Sequence, residues 1–192
     1  MSESLEKSVS GVAVKSKLEK LLAKREQAQQ VVLVLDCSGS MQEQGDSPGE
    51  RRIDSLRGVI SNLHQQGIVF RQLVFNSSCM WSDIVPEPSG GTNLANALEF
   101  CEKIQAKHVI VVSDGQPDSR DAALAVAKRL NCQIDVFYVG PKGDASAQEF
   151  MKQLASLTGG STNVVSFKEL QRAVAGMLTS GDEVEEKKTI AL

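Results

Sequence analysis

A carboxylate and two hydroxyls alternate in Asp36-Cys37-Ser38-Gly39-Ser40, directly behind the unbroken apolar run Val31-Val32-Leu33-Val34-Leu35. Such an apolar run suits a strand covered on both faces, as in a parallel sheet flanked by helices. Ligands of such sheets collect at the carboxyl ends of the strands. One charged oxygen donor and two neutral ones form a hard ligand set, which suits Mg²⁺ or Mn²⁺ better than zinc. Asp and Ser also build turns and helix caps, so the pentapeptide alone leaves that plainer reading open.

Two further segments join it. In Gly90-Gly91-Thr92-Asn93-Leu94 a glycine pair delivers a threonine to the mouth of a helix. Val109-Ile110-Val111-Val112-Ser113-Asp114-Gly115 repeats the opening pattern of a buried strand, a terminal aspartate and a glycine that permits a sharp turn. Asp36, Ser38, Ser40, Thr92 and Asp114 can therefore meet above adjacent strands. With these residues the chain closely resembles the von Willebrand factor A (vWA) domain family, whose metal-ion-dependent adhesion site (MIDAS) reads D-x-S-x-S, then T, then D. All five positions are filled, and the resemblance covers roughly residues 30 to 179.

The resemblance implies a doubly wound, Rossmann-like α/β fold. Its central sheet would have about six strands, mostly parallel, with one antiparallel edge strand near Met80 and helices on both faces. It also implies that Ser38, Ser40 and Thr92 bind a metal directly or through water, while Asp36 and Asp114 act largely through bound water. Mg²⁺ or Mn²⁺ fits so compact a set better than Ca²⁺. Neutral ligands leave the cation with residual positive charge, attractive to an incoming carboxylate. An Asp or Glu of a protein partner would complete the coordination, which is binding chemistry and not catalysis. Small intracellular members of the family resemble adaptors for AAA+ ATPases or for stress-response and phage-related assemblies. No residue here selects among those partners.

Composition sets the outer limits. The chain has 192 residues, 41% hydrophobic and 23% charged, enough for one well-buried α/β domain with short extensions. A net charge of −3 gives no basic surface for nucleic acid. Neither a membrane-length apolar run nor a signal-peptide core is found in the sequence, which leads to the expectation of a cytoplasmic protein. Cys37, Cys79, Cys101 and Cys132 lack the C-x-x-C spacing of a zinc site and read as reduced, packed thiols.

The elements that must position the five residues follow from periodicity. Residues 1–29 read as an amphipathic helical extension with Val14, Leu18, Leu21 and Leu22 on one stripe, residues 30–179 as the domain, and residues 180–192 as a mobile charged tail. Helices are expected around Ile53 to Leu63, Leu94 to Ile104, Pro117 to Leu130 and Phe150 to Leu157. Strands are expected at Val69 to Phe75, Met80 to Ile84, Ile134 to Val139 and Asn163 to Val165. Asp118 and Asp121 suit a helix start, Ser166 and Glu169 a capping box. Thr92 is expected on a loop whose position can shift, and Glu43, Asp46 and Glu50 as solvated loop charges.

Two other functions could use the same ligands. A Mg²⁺-dependent phosphoryl-transfer enzyme resembling the haloacid dehalogenase superfamily would want a second Asp where Ser38 stands, and no lysine is recognisably paired with the site. A structural subunit with a purely stabilising metal needs only the same ligands. His64 and His108 join no nucleophile motif, so a Ser-His-Asp triad has little support. The nucleotide fingerprint G-x-G-x-x-G is missing after the first strand.

Overall fold

The structure, a computed structural model, describes residues 31–179. The expected N-terminal helix and the charged tail lie outside the described residues. Within them the order is β1 (Val31–Asp36), a 3-10 turn (Gly39–Gln42), α1 (Arg52–Gln65), β2 (Arg71–Phe75), β3 (Cys79–Trp81), α2 (Leu94–Lys103), β4 (His108–Ser113), α3 (Arg120–Ala127), β5 (Gln133–Tyr138), α4 (Ala145–Ser156), β6 (Thr162–Val164) and α5 (Phe167–Thr179).

The strands form one sheet in the order β3-β2-β1-β4-β5-β6. All pairings are parallel except β2 with β3. The chain runs outward from β1 through β2 and β3, then returns to place β4 on the other side of β1. The gap between the carboxyl ends of β1 and β4 is therefore the topological switch point, where open α/β sheets bind ligands.

Strand alternation divides the core. Val32 and Val34 of β1 point to the layer of α2, α3 and α4, packed with Leu98, Val126 and Met151. Leu33 and Leu35 point to α1 and α5, packed with Leu56, Ile60 and Leu170. With apolar layers on both sides, β1 cannot slide without burying polar neighbours, and its terminal aspartate is fixed in place. The Ser166–Glu169 capping box forms, with Ser166 N–H donating to the Glu169 carboxylate at 2.9 Å and Glu169 N–H donating to Ser166 Oγ at 3.3 Å. The edge strand ends at Trp81 rather than reaching Ile84 as expected, because Ser82 and Ile84 close a local turn through the Ser82 hydroxyl. No helix among the described residues is long and apolar enough to cross a membrane.

Candidate metal centre

Asp36 ends β1 and Asp114 directly follows β4, so the two neighbouring strands deliver two carboxylates to the switch point. Both are buried. Asp36 Oδ1 accepts from the Ser38 backbone N–H at 2.8 Å, and Oδ2 accepts from the Ser113 hydroxyl at 2.6 Å. Burial pushes the Asp36 carboxyl up to about 6, the negative charge of Asp114 adds to the rise, and the hydrogen bonds from Ser113 and Ser38 oppose it. Asp114 is also raised by burial, against the pull of the Ser40 hydroxyl and the Arg52 guanidinium. Two buried carboxylates that hold protons too tightly mark a place short of positive charge.

The serines follow from the turn. Gly39 opens the 3-10 turn, its N–H donating to Gly90 O at 3.1 Å, and Ser38 Oγ and Ser40 Oγ lie 3.1 Å apart. Ser89 N–H donates to Cys37 O at 3.0 Å, so the loop before Thr92 is stitched to the loop after β1. Gly90 has φ +71°, and a Cβ there would stand 2.7 Å from Ser77 Oγ, which leaves glycine as the residue that fits. The Cys37 side chain packs on the α1 side, and burial pushes its thiol up to about 12, out of the range of a nucleophile.

Thr92 lies on the loop just ahead of α2, as expected. It is buried there, its N–H donating to Asp118 Oδ1 at 2.8 Å while Asp118 N–H donates to Thr92 O at 3.0 Å. Asp118 therefore does not cap α3. That position belongs to Ser119, whose hydroxyl accepts from Ala122 N–H at 3.2 Å.

Sequence reasoning also missed Arg52. The first residue of α1, it is buried, and its Nη1 donates to Ser40 O at 3.1 Å and to Asp114 Oδ2 at 3.2 Å. Glu43 pairs with the same nitrogen at 3.1 Å, and Asp46 Oδ2 accepts from Phe167 N–H at 2.6 Å at the start of α5. Both are exposed loop charges, as expected, and each also has a partner. A signal for Arg52 did exist in sequence: two arginines open a helix whose dipole disfavours cations there, so each needs a carboxylate partner. Arg51 finds Asp54 and Glu87, at 2.7 and 3.0 Å.

Asp114 Oδ1 is buried with no hydrogen-bond partner among the described residues, a costly state that a cation or its water would relieve. Among the described residues no group of three or more His, Cys, Asp or Glu could hold a metal ion. A cation here would accordingly depend on the hydroxyls of Ser38, Ser40 and Thr92 beside Asp36 and Asp114, a hard set that fits Mg²⁺ or Mn²⁺.

The histidines lie elsewhere. His108 opens β4 at the opposite end of the sheet, its Nε2 2.6 Å from Asp135 Oδ2, and Ser161 Oγ donates to Asp135 Oδ1 at 2.6 Å. The aspartate stands between serine and histidine, an order in which the imidazole cannot take the serine proton.

No protein-family model matches the chain, and no curated protein matches it. Solved structures do. An aerotolerance-related membrane protein from Bacteroides fragilis superposes with a TM-score of 0.59 at 16% identity, covering 79% of this chain and 99% of its own. A manganese-loaded Plasmodium vivax TRAP protein gives 0.54 at 21% identity, covering 76% of this chain and 72% of that one. The fold is vWA-like. Proximal thread matrix protein 1 from the mussel byssus reaches 0.50 at 15% identity, over 77% of this chain and 44% of its own. At these identities the likeness carries the vWA-like architecture, and function must come from the site.

Proposed function

We propose that this vWA-like domain is a metal-dependent protein-interaction module. A divalent cation, Mg²⁺ or Mn²⁺, would be held by Ser38, Ser40 and Thr92 with Asp36 and Asp114, and would accept an Asp or Glu carboxylate from a protein partner. The reading rests above all on Asp114 Oδ1, a buried carboxylate oxygen with no hydrogen-bond partner among the described residues, at the switch point that also carries the hydroxyl pair of Ser38 and Ser40. The manganese-loaded TRAP structure of similar fold lends it further support.

When bound, the cation supplies a Lewis-acidic site for an anionic ligand. The protein's own contribution is orientation. The Ser38 N–H and the Ser113 hydroxyl each donate to one oxygen of Asp36, so Asp36 is held in place and contributes its charge and remaining lone pairs. Arg52 anchors one oxygen of Asp114 and leaves the other available. No proton shuttle or nucleophile is required, and the role we assign is non-enzymatic. Four cysteines without disulfides fit a reducing, cytoplasmic setting for an adaptor within a larger assembly, such as one built around an AAA+ ATPase.

Affinity capture from the native cell with Mg²⁺ and with EDTA tests this. A partner retained by wild type in Mg²⁺, but released by EDTA and by Thr92→Ala, supports the reading. A partner held equally by all three moves the binding surface away from the cation. Metal-dependent turnover of phosphate esters that disappears in Asp36→Ala would replace the module with an enzyme.

A further inference from the structure

Arg52 puts a full positive charge against the two aspartates inside the protein. Its Nη1 carries two hydrogens and faces three oxygens, at 3.1 Å from Ser40 O, 3.2 Å from Asp114 Oδ2 and 3.1 Å from Glu43 Oε2. The first two contacts are hydrogen bonds. Glu43 is the surplus partner, held by charge alone, and its side chain is 64% exposed against 6% for Arg52. The guanidinium cannot be deprotonated in a protein. Two aspartates and a divalent cation cancel, so Arg52 would leave the loaded centre with one positive charge. Glu43 neutralises that charge from the solvent side.

We propose that Arg52 and Glu43 form an anion gate: Arg52 keeps the loaded centre net positive, and the Glu43 carboxylate is the chain's own anion, displaced when a partner's carboxylate arrives. The gate rests on the metal-dependent reading above and names the residues that set its affinity for the anion. Geometry lets the side chain move while the main chain stays. Arg52 N–H donates to Glu43 O at 2.9 Å, and Gln44 bridges Arg51 in antiparallel fashion, so the Glu43 backbone is fixed to the start of α1. The carboxylate itself has solvent beyond it, and exposed ion pairs are weak enough to exchange. Arg52, by contrast, is buried and hydrogen-bonded twice, so the positive side of the gate is permanent.

Mn²⁺ and acetate serve as probes on the full chain. Electron paramagnetic resonance of free Mn²⁺ gives cation affinity, and water-proton relaxation reports acetate displacing water from bound Mn²⁺. Glu43→Gln should tighten acetate binding by roughly three- to tenfold and weaken Mn²⁺ a few-fold, as expected for one charge near the centre. Arg52→Gln should tighten Mn²⁺ and lose the acetate response, while Arg52→Lys, which keeps the charge, should retain it. Equal acetate affinity in wild type and Glu43→Gln would overturn the gate, and the exposed position keeps that variant folded. Weaker Mn²⁺ binding by a folded Arg52→Gln would overturn it too, by making Arg52 a scaffold for Asp114. Wild type that binds no Mn²⁺ at all would remove the metal-dependent reading itself, and is told apart because acetate then has no effect in any variant.

Discussion

Thr92 and Asp118 hold each other by two reciprocal hydrogen bonds across 26 residues of chain, Thr92 N–H to Asp118 Oδ1 at 2.8 Å and Asp118 N–H to Thr92 O at 3.0 Å. The clamp joins the glycine-flanked loop to the loop after β4, the same loop that begins with Asp114. The loop that carries the threonine hydroxyl and the loop that carries the second aspartate are thereby kept in register by Asp118.

Asp118→Ala should therefore weaken Mn²⁺ binding by roughly tenfold, the size of one charge-assisted hydrogen bond. Because Asp118 is exposed, the melting temperature of the metal-free chain should shift little. Calorimetric titration with Mn²⁺ and a thermal melt in EDTA separate the two effects. Unchanged affinity would show that Thr92 is positioned by the glycine pair alone.

In chelator, stability should fall as pH rises from about 4 to about 6. Asp36 has its folded value raised from 3.8 to about 6, mainly by burial, so its protonated form favours folding. That contribution is complete below the unfolded value and is lost as pH climbs through the folded one, to the order of 3 kcal/mol. Asp114, also raised, acts in the same direction. Asp54, Asp135 and Asp144 are lowered by hydrogen bonds, and their stabilisation is lost only as pH falls below about 4, in a separate window. Denaturation midpoints at pH 5 and 7.5 in EDTA should thus favour pH 5, and Asp36→Asn should flatten the difference. Saturating Mn²⁺ should also flatten it, by supplying the missing charge.

Asp46 reaches from the loop after β1 to the first N–H of α5 at 2.6 Å. Asp46→Ala should cost about 1 kcal/mol, the worth of a helix-cap bond, read as a lower urea midpoint with an unchanged slope. A shift no larger than that of Glu50→Ala would reduce the contact to a surface charge.

Asp36 and Asp114 were legible because each stands directly at the end of an unbroken apolar run, and the change from apolar to polar residues marks where the buried strand stops. The short edge strand near Met80 was legible in the residues, but with the wrong end, since three residues carry too little pattern to fix a boundary, and its antiparallel direction came only through resemblance. Arg52 and Asp118 were not legible as members of the site. Each looks like a local feature, a helix opening or a helix cap, and acquires its role through partners 62 and 26 residues away. Local propensity assigned Asp118 to α3, and the tertiary hydrogen bond to Thr92 took precedence over it.

The central claim is that Asp36, Ser38, Ser40, Thr92 and Asp114 hold a single divalent cation. Its most direct test is titration of the chelator-stripped chain with Mn²⁺, followed by the resonance of the free ion, in wild type and in Asp36→Asn, a substitution that keeps the shape of the buried side chain. Wild type should saturate at one Mn²⁺ per chain, and Asp36→Asn should show no saturable binding while melting cooperatively. Equal saturation by both proteins would contradict the claim and place the cation elsewhere.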